Sequence, residues 1–167
     1  MSVTTEDDYV DTNVAIECHR IGCWKAAKSG LTLVTVDKVI EECATGARRR
    51  EGYVVIDAEA MKQDVQILTV SQQELADLRL RLAGQVNLDA GEENLLAKAL
   101  SSKKPWRICS PDSALIRACW LLSHLDNVVS LEHLLQQIGF RLKTSLQRQY
   151  TKVWLSQKKT DLLLEVS

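Results

Sequence analysis

At 167 residues, with 46% hydrophobic and 26% charged residues, the chain is the size of one ordinary domain and buries a core without needing disulfides or a structural metal. Two prolines and seven glycines argue against long linkers, and a formal net charge of −1 excludes a global attraction to nucleic acid or membrane. The five scattered cysteines (Cys18, Cys23, Cys43, Cys109 and Cys119) contain no C-x-x-C pair, and the N-terminus lacks a signal-peptide pattern. We therefore expect a reduced, cytoplasmic protein with no membrane span and no His/Cys zinc site.

In chain order, the apolar step Tyr9–Val10 reads as a short strand ending at Asp11. The apolar positions Val14, Ile16, Ile21, Trp24 and Ala27 then predict one helix closed by Gly30. Residues 31–37 (LTLVTVD) switch to a β-rich run, and Val39, Ile40, Cys43 and Ala47 share one face of a second helix. Strands are expected at 53–57, 65–70, 106–110 and 127–131, with helices over 71–84, 91–102 and 111–125 and a helical tail broken near Gly139. Short apolar runs alternating with amphipathic helices predict an α/β fold whose mainly parallel sheet is covered on both faces. In such sheets ligands bind beyond the carboxyl ends of the strands.

Acidic residues gather at those ends: Asp11, the pair Glu41/Glu42, Asp89 with Glu92, and Asp112. Each has a local explanation. "DAGE" fits a capping box of Asp89 and Glu92, and "SPDS" fits a helix with Ser110 as N-cap, Pro111 at N1 and Asp112 in the first turn. Asp37 and Asp11 could each begin a helix. Taken together, however, carboxylates along one sheet edge repel unless a cation sits among them, and hard oxygen ligands suit Mg²⁺ or Mn²⁺. Two basic clusters stand apart: Arg48, Arg49 and Arg50, and the stretch from Arg141 to Thr160, which has six basic residues, Lys152 among them, and no acid. A solvated helix face explains such runs equally well. No phosphate-binding glycine loop, dinucleotide fingerprint or serine-hydrolase elbow is present.

The order of "YVDTNVAIE", "LTLVTVDKVIEECATG", "LDAGEENLLAKAL" and "ICSPDSALIRA" resembles the PIN-domain family of metal-dependent ribonucleases, over roughly residues 7 to 130. The resemblance implies a three-layer α/β/α domain over residues 1–130, with 131–167 a helical extension packed on it. It implies that Asp11, Glu42, Glu92 and Asp112 hold one or two Mg²⁺ or Mn²⁺ ions, with Asp89 a further candidate ligand and Asn13 and Ser110 as supporting polar groups. Glu42 is preferred to Glu41 because family members place the acid immediately before an apolar residue, here Cys43; helical phase does not separate the two. Arg48, Arg49, Arg50 and Lys152 would bind RNA, with Tyr150 and Trp154 as stacking surfaces unless the tail buries them against the core. The implied activity is cleavage of single-stranded RNA, in the setting of a homodimeric bacterial toxin with an antitoxin partner. A catalytically silent PIN-like module that binds RNA or protein is the alternative. The chain departs from the family in carrying Asp7 and Asp8 where aliphatic residues are usual, and Pro111 beside Asp112.

Overall fold

The computed structural model describes residues 6–45 and 57–165. Within them, β1 (Asp7–Val10), β2 (Thr32–Val36), β3 (Gln66–Leu68), β4 (Trp106–Cys109) and β5 (Val128–Val129) form one sheet in the order β3-β2-β1-β4-β5. Every pairing is parallel. The fold is α/β, with helices layered on the sheet in a three-layer α/β/α arrangement: α1 (Thr12–Ile21), α2 (Trp24–Gly30), α3 (Asp37–Thr45), α4 (Ala58–Asp64), α5 (Gln72–Leu82), α6 (Ala90–Leu100), α7 (Ser113–Leu121), α8 (Leu131–Gln137) and α9 (Lys152–Leu164). Among the described residues, no helix is long and apolar enough to cross a membrane.

Three local features differ from the pattern-based expectation. The helix expected from Val14 to Gly30 is two helices, because Gly22 takes a left-handed backbone (φ 75°) and its N–H closes α1 on the Cys18 and His19 carbonyls. Helix α4, begun by Asp57 accepting the Glu59 and Ala60 N–H groups, was not anticipated, and the strand expected over 53–57 lies outside the described residues apart from Asp57. The tail is not one broken helix. Gly139 (φ 75°) follows α8, residues 140–147 form no helix or strand, and a 3-10 turn (Arg148–Tyr150) leads into α9. The irregular stretch is tied to α1, where Glu17 accepts the Gln147 N–H at 2.7 Å and Arg20 donates to the Ser145 carbonyl at 3.0 Å.

The acidic first strand sits at the centre of the sheet because its charge is answered across the ladder. Asp8 and Arg107 are register partners on β1 and β4, and the guanidinium grips the carboxylate through Nε at 2.7 Å and Nη2 at 3.1 Å. Asp8 is only 1% exposed. Burial raises its pKa while Arg107 opposes that rise. Removing one member of a buried pair strands the other charge, which costs about 3–5 kcal/mol. We therefore expect Arg107→Ala to lower unfolding free energy by roughly 3 kcal/mol in urea titration, and a change below about 1 kcal/mol would show the pair to be dispensable.

Candidate functional site

Register delivers the first two groups. Val10 and Cys109 are paired at the carboxyl ends of β1 and β4, so Asp11 and Ser110 emerge side by side, and the Ser110 hydroxyl donates to Asp11 Oδ2 at 2.7 Å. Asp11 Oδ1 accepts the Val14 N–H at 2.9 Å and caps α1. Helix start and strand-edge carboxylate are thus the same residue, because the two roles use different oxygens.

Ser110 does not cap the next helix as expected. Its hydroxyl is committed to Asp11 and accepts the Asp112 N–H at 3.1 Å, so it bridges the two aspartates. Pro111 disfavours helical backbone at the residue before it. Asp112 is the N-cap instead (φ −83°, ψ 123°), its Oδ1 accepting the Ala114 and Leu115 N–H groups at 2.8 and 3.1 Å, and α7 begins at Ser113. The expected capping box is formed: Asp89 Oδ1 accepts the Glu92 N–H at 2.8 Å and Glu92 Oε2 accepts the Asp89 N–H at 3.1 Å.

The N-termini of α1, α6 and α7 therefore bring Asp11, Asp89, Glu92 and Asp112 into one electrostatic neighbourhood. Their helix dipoles favour negative charge, yet at Asp11 and Glu92 burial outweighs them. Asp11 is 3% exposed, and burial pushes its pKa up to about 6, with the Asp112 and Asp89 charges adding to the rise and bonds from Ser110 and Val14 opposing it. Glu92 is 6% exposed and is pushed up to about 8, first by burial, then by hydrogen bonding to and repulsion from Asp112. Among the described residues, no Lys, Arg or His forms an ion pair with any of these four acids.

Buried carboxylates without a counter-cation are costly, and the all-oxygen donor set has the chemistry that Mg²⁺ and Mn²⁺ take. Asp11, Glu92 and Asp112, with Asp89 beside them, are the residues that could hold such an ion. Among the described residues, no group of three or more acids, histidines or cysteines is already arranged to do so. The caps account for this in part, since Asp112 Oδ1 and Glu92 Oε2 are each engaged by backbone N–H groups.

Glu42 has a different position. Its Oε1 accepts the Gly91 N–H and its Oε2 the Thr12 hydroxyl, both at 3.1 Å, so it joins α3 to the first turns of α6 and α1. Glu41 is 65% exposed on its side chain and pairs with Lys38. Two residues overlooked in the sequence complete this contact, Thr12 and Gly91. A Cβ at position 91 would lie 2.5 Å from Glu42 Oε2, so a side chain there would push the carboxylate from its present place. The glycine directly before Glu92 was the available signal.

The remaining candidates are dispersed. Asn13 is half-buried in the first turn of α1, and its carbonyl accepts the Tyr150 hydroxyl at 3.1 Å. Tyr150 is buried and Trp154 half-buried, so Tyr150 packs against the core and does not present a stacking face. Lys152 is exposed, its ammonium donating to Gln136 at 2.8 Å. Arg48, Arg49 and Arg50 lie outside the described residues. Comparison with known proteins found no family model and no curated protein that matches this chain.

Proposed function

We infer that this chain is a divalent-metal-dependent ribonuclease of the PIN kind, acting on single-stranded RNA. The observation that carries the reading is two buried acids, Asp11 and Glu92, with half-buried Asp112 and exposed Asp89 beside them, none paired with a cation among the described residues, at the carboxyl edge of an all-parallel sheet. Asp11, Glu92 and Asp112 would hold Mg²⁺ or Mn²⁺, with Asp89 close by. When bound, such an ion supplies a water of lowered pKa and offsets charge on the leaving oxygen. Ser110 keeps Asp11 and Asp112 in fixed relation through its two hydrogen bonds. Glu42 holds the first turn of α6, and with it Glu92, against α1. The toxin setting, with an antitoxin and a homodimer, has the sequence resemblance as its only support.

The test is incubation of the purified chain with labelled single-stranded RNA in Mn²⁺, in Mg²⁺ and in EDTA. Internal cleavage in either metal and none in EDTA is the expected result; equal cleavage in all three, or none in any, would overturn the reading. One observation favours a silent RNA-binding module instead: among the described residues no three-ligand group is preassembled. That module would bind RNA and show no Mn²⁺ binding by calorimetry.

A further inference from the structure

Beside the carboxyl end of the edge strand β5, an open depression of about 330 Å³ is lined by Asp126, Ser130, His133, Lys152, Ser156 and Lys159. Its charge is one-sided. Lys152 and Lys159 meet there against one acid, and among the described residues neither ammonium forms an ion pair. Both are held in place by uncharged acceptors: Lys152 by the Gln136 side-chain oxygen and Lys159 by the Val128 carbonyl, each at 2.8 Å. These bonds fix the ammonium groups on neutral oxygens; an acid beside Lys152, Glu132, takes the Lys152 backbone N–H on its carboxylate at 2.7 Å.

His133 reports the resulting field. Burial, then the Arg107 and Lys152 charges, hold its pKa below the ordinary range; Asp8 opposes them and Lys159 adds to them. Arg107 is itself answered by Asp8, while the two lysines share the single lining acid, Asp126, whose charge acts on Lys159. The groove between α7 and α9 supplies the contrast. It carries Arg117 and Lys158, but also Asp161 and Glu165, and Arg117 is already paired to Glu165 at 3.0 Å. The lining there has two cations and two acids, while the lining of the β5 depression has two cations and one acid.

Position connects this depression to the acids. Cys109 and Val129 are register partners on β4 and β5, so Ser130 leaves the sheet next to Ser110, which bridges Asp11 and Asp112. We propose that the depression seats a backbone phosphate of the RNA strand whose scissile bond lies at the carboxylates, with Lys152 and Lys159 as the paired cations and the Ser156 hydroxyl as a donor. This rests on the ribonuclease reading for its substrate class. It adds Lys159, Ser156 and a defined seat to Lys152, which the sequence resemblance already implied as an RNA-binding residue.

The experiment is fluorescence anisotropy of a labelled single-stranded RNA with the full chain in EDTA, over a chloride series, so that cleavage plays no part. Each phosphate contact contributes about one unit to the slope of log affinity against log salt. Lys152→Gln, at an exposed side chain, is expected to weaken binding several-fold at low salt and to reduce that slope; with Lys159→Gln added, the total reduction is about one, the contribution of one phosphate. Lys62→Gln, at a residue of α4 paired with Glu59, leaves both unchanged. Inorganic phosphate at matched ionic strength competes with RNA on the parent chain and not on the double variant. Circular dichroism establishes that each variant is folded. A folded Lys152→Gln chain with the parent affinity and slope overturns the proposal, as does failure of the parent chain to bind RNA. Metal-dependent cleavage with unchanged slopes would sink the phosphate seat and leave the ribonuclease reading intact.

Discussion

Asp11→Asn is expected to remove metal-dependent RNA cleavage by on the order of 10³-fold or more, beyond the 10–100-fold that outer partners of metal ligands carry. The same substitution should stabilise the metal-free protein. Asparagine caps a helix as well as aspartate does, so the bond to the Val14 N–H survives. What disappears is a buried charge that the fold holds at a disadvantage, with a pKa near 6 in place of the ordinary 3.8. At pH 8 in EDTA the gain is about 1–3 kcal/mol, read as a melting temperature on the order of 5 °C higher. Loss of activity alone would follow equally from a damaged fold. Activity lost while stability rises is the signature of a residue kept for chemistry. If initial rates in Mn²⁺ stay within a few-fold of the parent, Asp11 is a helix cap and nothing more.

What the sequence could convey depended on the range of each interaction. The capping box of Asp89 and Glu92 was legible because its partners are three residues apart and its chemistry is local. The alternation of strands and helices was legible for the same reason, and it located the edge where the acids gather. Gly22 was missed because apolar Ile21 and Cys23 flank it, so the helical pattern runs through a residue whose φ of 75° ends the helix. The cap at Asp112 was misassigned because Ser110 is drawn away by Asp11, a contact across 99 positions. The same separation hid the partner of Asp8, which made an acidic central strand look anomalous when Arg107 lies directly opposite on β4. Glu42 could not be separated from Glu41 by phase; Gly91, 49 residues on, separates them by leaving space for one carboxylate.

The metal-free protein should lose stability as pH rises from about 4 to about 8, the reverse of what a chain dominated by salt-bridged acids does. For an acid whose pKa is higher folded than unfolded, the folded state binds more protons between the two values, so stability falls with rising pH across that window. For Asp11 the window runs from 3.8 to about 6, and for Glu92 from 4.5 to about 8. Each tenfold in proton affinity is about 1.4 kcal/mol, so Asp11 alone accounts for about 3 kcal/mol at full ionisation, and Glu92 adds in the same direction. Glu74 works oppositely. Its partial burial raises it, but bonds from Ser101, Ser71 and Lys98 prevail and bring it down to about 2, so its contribution is lost on acidification below about pH 4. The two trends place the stability maximum near pH 4 in EDTA. Saturating Mn²⁺ should abolish the alkaline decline, because a cation that binds only the folded state adds stability by mass action and favours the ionised carboxylates. Urea titrations at pH 5, 7 and 9, with EDTA and with Mn²⁺, separate the possibilities. A decline in EDTA that Mn²⁺ reverses is expected. A flat or rising profile in EDTA would mean that Asp11 and Glu92 ionise without penalty, and the physical argument for a cation at this sheet edge would fall with it.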